Sequence, residues 1–128
     1  MTSARGLSPG DRALRLAATP TYSIVLVSAG SRADLEASLA VLEPQCRELN
    51  TELVVVRSTN AEEFRSLAGA WPSVLWMPAP DNVSVPQLKA IGITAAEGDI
   101  VIFTTDAAPP PEGWVRARTR LQQAGSGE

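Results

Sequence analysis

The sequence contains no histidine and a single cysteine, Cys46, among its 128 residues. Without histidine, the chain lacks the commonest metal ligand and the commonest general base, and it cannot form a Ser-His or Cys-His nucleophile pair. One cysteine can form neither an intrachain disulfide nor a zinc site of several thiolates. Any chemistry must therefore use carboxylates, hydroxyls or a partner.

Basic charge and long apolar runs are also scarce. Lys and Arg number 11 against 14 Asp and Glu, so the net charge is −3 and no basic field exists to hold nucleic acid. No apolar run approaches the roughly 20 residues of a membrane span, and residues 1–20 lack the apolar core of a signal peptide. The sequence predicts a cytoplasmic protein with no membrane span and no nucleic-acid partner.

A chain of this length, 45% apolar, predicts one domain with its own core. Residues 1–20 carry three arginines against one aspartate and form a predicted flexible leader, and the small polar residues 122–128 form a predicted flexible tail. The folded domain is expected over 21–121.

Within that domain, short apolar runs alternate with segments of helical period, which is typical of βαβ units. Strands are predicted over 24–27, 53–56, 74–77 and 100–103, with Pro78 and Pro80 closing the third. The fold class predicted is therefore α/β: a three-layer sandwich around a four-stranded, mostly parallel sheet.

Helices are expected after each strand. Ser31 caps the first, which Pro44 should end or kink, and Asn60 starts a second that runs to Ala70. Further helices are predicted over 87–96 and 112–121. The periodicity predicts that Cys46 lies in the core and not at a reactive site. Trp76 is predicted to lie in the core because it belongs to the third strand.

Parallel sheets bind ligands outside the carboxyl ends of their strands, where this chain has residues 28–32, 57–60 and 104–108. Three segments that lead to these strand ends resemble the nucleotide-binding half of glycosyltransferase family 2, which has the GT-A fold. They are the strand 22–27 with the helix that follows it, the strand 52–56, and above all the passage 89–103, with its basic residue, Gly-Ile, Ala-x-Gly-Asp and apolar strand. Residues 109–114 also resemble the family's segment after its metal motif. The resemblance covers 22–121 and implies the strand order 3-2-1-4.

That family transfers a sugar from a nucleotide diphosphate donor and uses an acidic motif to hold a divalent cation against the diphosphate. The resemblance implies that Asp106 is the remaining acid of this motif, where Mn²⁺ or Mg²⁺ would bind with a nucleotide sugar. Ser28, Arg57 and Lys89 would lie near the diphosphate. The resemblance also implies that Arg57 or Ser58 takes the position of the acidic residue that follows the second strand in this family.

Each of these residues also has a structural interpretation. Asp106 could cap the turn before the prolines, Lys89 could be a solvated residue of an amphipathic helix, and Arg57 could be an exposed strand end. Trp114 could contact a partner or pack against the end of the sheet.

The family's acceptor half would follow residue 128, and no histidine is available as the catalytic base. We therefore expect a truncated, non-catalytic interaction or accessory module. Its partner, a second copy or another protein, would bind at Trp114, Arg116 and Arg120. The alternative is a nucleotide-sugar-binding component whose partner supplies the acceptor side.

Overall fold

The computed structural model describes the backbone of residues 21–126 and the side chains of residues 21–121. Strands and helices alternate along this range, as the sequence predicted. The elements are β1 (Tyr22–Ser28), α1 (Arg32–Glu48), β2 (Glu52–Ser58), α2 (Ala61–Ala70), β3 (Leu75–Ala79), α3 (Val85–Ala95), β4 (Ile100–Thr105) and α4 (Trp114–Ser126).

The four strands form one parallel sheet in the order β3-β2-β1-β4. This confirms the predicted fold class and strand order. In the register, Ser28 at the end of β1 lies opposite Arg57 of β2, and Val27 lies opposite Thr105 of β4. The carboxyl ends of the strands therefore meet at one edge of the sheet.

Alternating residues of the sheet build two cores. On one face, Ile24 and Leu26 pack with Leu35 of α1, Leu67 of α2 and Val115 of α4. On the other face, strand residues such as Val25 and Val56 pack against α3, chiefly through Leu88 and Ala95. Three helices thus cover one face and one helix covers the other, which makes the three layers unequal.

The first predicted helix does not end at Pro44, because α1 continues to Glu48. Ala40 and Pro44 both lie on the exposed side of α1. Water can therefore reach the Ala40 carbonyl, which loses its usual N–H donor to the proline. Gln45 gives α1 a further bond by donating from Nε2 to the Val41 carbonyl at 3.1 Å.

Of the two prolines predicted to close the third strand, Pro78 does not, because β3 extends to Ala79 and Pro78 lies opposite Arg57; the strand ends directly before Pro80. A proline is tolerated at position 78 because β3 is an edge strand, where a missing N–H need not break a ladder bond.

The predicted leader, residues 1–20, lies outside the described residues. The last helix begins two residues later than predicted and ends at Ser126 instead of Leu121, so the predicted tail is helical over 122–126. Gln122, Gln123 and Ala124 are good helix formers, which accounts for the extension. Within residues 21–126, no helix has both the length and the hydrophobicity needed to cross a membrane.

Candidate functional site

The candidate site lies at the carboxyl ends of β1 and β4. The helix that follows β1, α1, lies on one face of the sheet, and the helix that precedes β4, α3, lies on the other face. The strand order therefore changes direction between the neighbouring strands β1 and β4. Such a switch point leaves a crevice in open α/β sheets. Here it is an open cleft of about 350 Å³, lined by Val27, Ala29, Gly30, Asp34, Val85, Thr105, Asp106 and Ala107.

Asp106 is buried at the floor of this cleft, with 4% of its surface exposed. One carboxylate oxygen, Oδ2, accepts a bond from the Ser28 hydroxyl at 2.6 Å and one from the Gly30 amide at 3.3 Å. The other, Oδ1, accepts bonds from the Ala29 and Gly30 amides at 3.2 Å each. The carboxylate therefore ties the end of β4 to the turn between β1 and α1.

Arg57 joins the same network from β2. Its Nη1 donates to Ser28 Oγ and to the Gly30 carbonyl, both at 2.8 Å, and its Nε lies 3.3 Å from a carboxylate oxygen of Glu63 on α2. The side chain is 12% exposed. Ser28 thus accepts from a guanidinium and donates to a carboxylate, so the charges of Arg57 and Asp106 are balanced through one hydroxyl.

A close approach of backbone to side chain shapes the turn. A β-carbon added at Gly30 would lie 3.0 Å from an oxygen of Asp34 and 3.4 Å from Oδ1 of Asp106. Asp34 forms a capping box with Ser31, each side chain accepting from the other's backbone amide. A small residue at position 30 therefore lets two carboxylates pack beside the turn.

The structure brings together three of the four residues predicted to bind a diphosphate, namely Ser28, Arg57 and Asp106. Lys89 is not part of their network: it is exposed on α3, with its Nζ 5.3 Å from the centre of the Phe103 ring. Sequence reasoning missed Glu63 as the ion-pair partner of Arg57. Glu63 lies in the first turn of α2, and its amide donates to the side chain of the N-cap residue Asn60 at 2.8 Å.

The residues predicted to bind a partner lie on α4. Trp114 is half-buried against the core, and the guanidinium of Arg118 lies 5.4 Å from the centre of its ring. Arg116 is paired with Glu48 of α1 at 3.0 Å, and Arg120 is exposed.

Gln45 is a further residue that the sequence did not reveal. Its side chain accepts from the Val115 amide at 2.9 Å and donates to the Pro111 carbonyl at 3.2 Å. It therefore satisfies an amide at the start of α4, which would otherwise lack a helical partner. An open cavity of about 400 Å³ beside Gln45 is lined by residues of α1 and by the segment that leads into α4.

Cys46 is buried in the core, and this burial, with a smaller effect of Glu43, raises the pKa of its thiol to about 12. A raised pKa means little thiolate near neutrality. We expect a disulfide reagent at pH 8 to modify the native chain at least about 100-fold more slowly than the urea-unfolded chain, because the thiolate is the reactive form. Stopped-flow absorbance measures both rates; rates within tenfold of each other would contradict a buried thiol.

Among residues 21–126, no group of three or more Asp, Glu or Cys side chains is placed to hold a metal ion. Comparison of the chain with protein-family models, with curated proteins and with solved structures finds no match.

Proposed function

We propose that this protein is a non-catalytic interaction module built on a glycosyltransferase-like α/β domain. The observation that carries the proposal is the closed network of Ser28, Arg57 and Asp106 at the switch point. The groups that would serve a donor substrate there bond to one another instead.

A diphosphate at this edge would need donors, and the nearest ones are already used. The Ala29 and Gly30 amides point at Asp106, and the carboxylate supplies the negative charge that a phosphate would otherwise bring. Arg57, the nearest cation, is bonded to Ser28, Gly30 and Glu63. An incoming phosphate would have to displace a buried carboxylate from its donors, and each hydrogen bond to a charged group that is lost costs about 1.5–3 kcal/mol.

A divalent cation meets the same difficulty. Mg²⁺ and Mn²⁺ bind carboxylate oxygens, but both oxygens of Asp106 accept bonds from two donors each. Arg57 lies on the other side of the Ser28 hydroxyl, and its positive charge opposes a second cation nearby. The network therefore favours a structural role for Asp106 in holding the β1–α1 turn, whereas the structural alternative predicted from the sequence was a cap on the turn before the prolines.

A second candidate function is nucleotide-sugar binding, with Mn²⁺ or Mg²⁺ as cofactor and a partner that supplies the acceptor side. It is favoured by the position of the cleft, because ligands of open parallel sheets bind at the switch point. Asp34 and Asp106 both line this cleft. The surrounding network would have to open before these carboxylates could share a metal ion.

Calorimetric titration separates the two functions. The chain is titrated with UDP, GDP, UDP-glucose and GDP-mannose, each with and without Mn²⁺. We expect no binding at millimolar concentrations, because the donors and the carboxylate are already paired.

The control is Asp106→Asn, with circular dichroism at 222 nm to show that the variant remains folded. Metal-dependent binding to the native chain that disappears in a folded Asp106→Asn variant would replace the interaction module by the second candidate. Turnover of a sugar donor by the chain alone would contradict the proposed function outright.

A further inference from the structure

The outer edge of β4 is open along the described part of the chain. β4 pairs with β1 on one side, and no described strand pairs with it on the other. Its sequence, residues 100–105, contains neither charge nor proline, whereas the opposite edge strand carries Pro78. Charges and prolines are the usual means by which an edge strand avoids pairing with another chain. This edge is therefore suited to accept one more strand.

On one face of the sheet, α3 packs on the other strands and turns an exposed row of side chains toward β4. Lys89 reaches over Phe103 of β4, and Val85 lines the switch-point cleft together with Thr105. Ile93 is one turn further along the same side of the helix, because residues four apart are neighbours. Val85 is 44% exposed and Ile93 is 53% exposed.

On the other face, the position of α4 follows from its contacts with α1. One side of α1 contacts α2, through the bond between Arg32 and Ser66, and its opposite side contacts α4, through the bond between Glu48 and Arg116. Since α2 lies toward β3, α4 lies toward β4. The helical period then places Arg118 and Leu121 on the side of α4 that faces away from α1.

We call the β4 edge surface the outer edge of β4 together with Val85, Lys89, Ile93, Arg118 and Leu121. It includes the three large hydrophobic side chains that are exposed among residues 21–121, Leu121 being 66% exposed. Its charged side chains are both basic, although the chain has a net charge of −3. The two aspartates that bracket β4 are engaged: Asp99 accepts from the Thr21 amide, and Asp106 belongs to the network.

We propose that the β4 edge surface binds an extended segment of another protein, in which apolar residues alternate with acidic ones, as a fifth strand of the sheet. The strand edge supplies backbone hydrogen bonds, the exposed apolar side chains supply burial, and Lys89 and Arg118 select acidic partners. A second copy fits less well, because an antiparallel β4–β4 pair would place Lys89 near its own symmetry mate. This inference rests on the proposed function and names its partner.

The probe is a fluorescein-labelled decapeptide of alternating valine and glutamate, with an alternating valine–lysine decapeptide for comparison. We expect saturable binding of the glutamate peptide, at least tenfold tighter than that of the lysine peptide at 50 mM salt and weaker at 500 mM. In ¹⁵N–¹H NMR spectra, the amide signals of residues 100–105 should shift. Successive backbone amides of an extended peptide point to its opposite edges. Methylation of the two central peptide nitrogens therefore removes one donor from the edge that faces β4, whichever edge this is, and should weaken binding at least tenfold.

The protein variant is Lys89→Glu with Arg118→Glu. It should lose at least tenfold in affinity for the glutamate peptide and gain affinity for the lysine peptide. The matched control, Arg32→Glu with Arg65→Glu, makes the same change of net charge on α1 and α2, outside the β4 edge surface. Its affinity for the glutamate peptide should stay within about threefold of that of the native chain.

Three results would overturn the inference: shifts that map away from β4, equal affinity of the methylated and unmethylated peptides, or light scattering that shows a dimer whose contact is β4. The proposed function fails by a different measurement, since it is contradicted by a nucleotide sugar that binds at Asp106. If the chain binds neither nucleotide sugar nor peptide, the strand-addition site is refuted and the argument from the closed network is unaffected.

Discussion

Asp106→Ala is expected to lower the free energy of unfolding by about 3–5 kcal/mol, because hydrogen bonds to a charged group contribute about 1.5–3 kcal/mol each and several are lost together. The substitution removes the acceptor of three donor groups, those of Ser28, Ala29 and Gly30, at a position that is 4% exposed. It also removes the carboxylate that Arg57, 12% exposed, reaches through the Ser28 hydroxyl. Urea denaturation followed by circular dichroism measures the loss.

Two further variants isolate the cause. Asp81→Ala removes an exposed aspartate and should change stability by less than about 0.5 kcal/mol. Asp106→Asn keeps the shape of the side chain but places an amide where donors converge, so we expect an intermediate loss of about 2 kcal/mol. If Asp106→Ala were as stable as Asp81→Ala, the network would not hold the turn, and the main argument for the interaction module would fail.

Two glycines within helices should respond to alanine with opposite signs. In α3, a β-carbon at Gly92 would overlap Cγ1 of Val25 and would lie 3.2 Å from Cγ2 of Val56. Both valines are fully buried in the sheet, so α3 must move away from it. We expect Gly92→Ala to destabilise the protein by about 1–3 kcal/mol, the usual cost of overpacking a core, despite the higher helix propensity of alanine.

Gly69 in α2 is the matched control, because nothing lies within 4 Å of an added β-carbon. There the propensity gain acts alone, and Gly69→Ala should stabilise the protein by about 0.5–1 kcal/mol. Thermal and urea unfolding of the two variants test the difference. Stabilisation by Gly92→Ala would show that α3 does not pack as closely on β1 as the structure has it.

The sequence was sufficient to predict the alternation of strands and helices and the strand order, the latter through the family resemblance. Apolar runs such as residues 24–27 report burial on both faces directly. The ends of elements were less predictable, since they depend on context: Pro44 is accommodated because its side of α1 is exposed, and Pro78 because β3 is at an edge. Local propensity does not contain either fact.

For the candidate site, strand-end position correctly grouped Ser28, Arg57 and Asp106, because the carboxyl ends of parallel strands share one edge. What the sequence could not supply was the direction of their hydrogen bonds. Three polar residues at an edge can face a ligand or face one another, and only the distances among them distinguish the two. Lys89 was grouped with them by resemblance, whereas the structure places it beside Phe103.

The bond between Ser28 and Asp106 joins residues separated by 78 positions. The chain between them contains β2 and β3, so this carboxylate reaches its donors only after β4 has taken its place beside β1. Until then, the Ala29 and Gly30 amides lack their carboxylate acceptor and bond to water, and Glu63, six positions along the chain, is the acidic partner of Arg57. Docking of the last strand is thereby linked to ordering of the first turn, and the two should melt as one cooperative unit, with a single protection factor in hydrogen exchange.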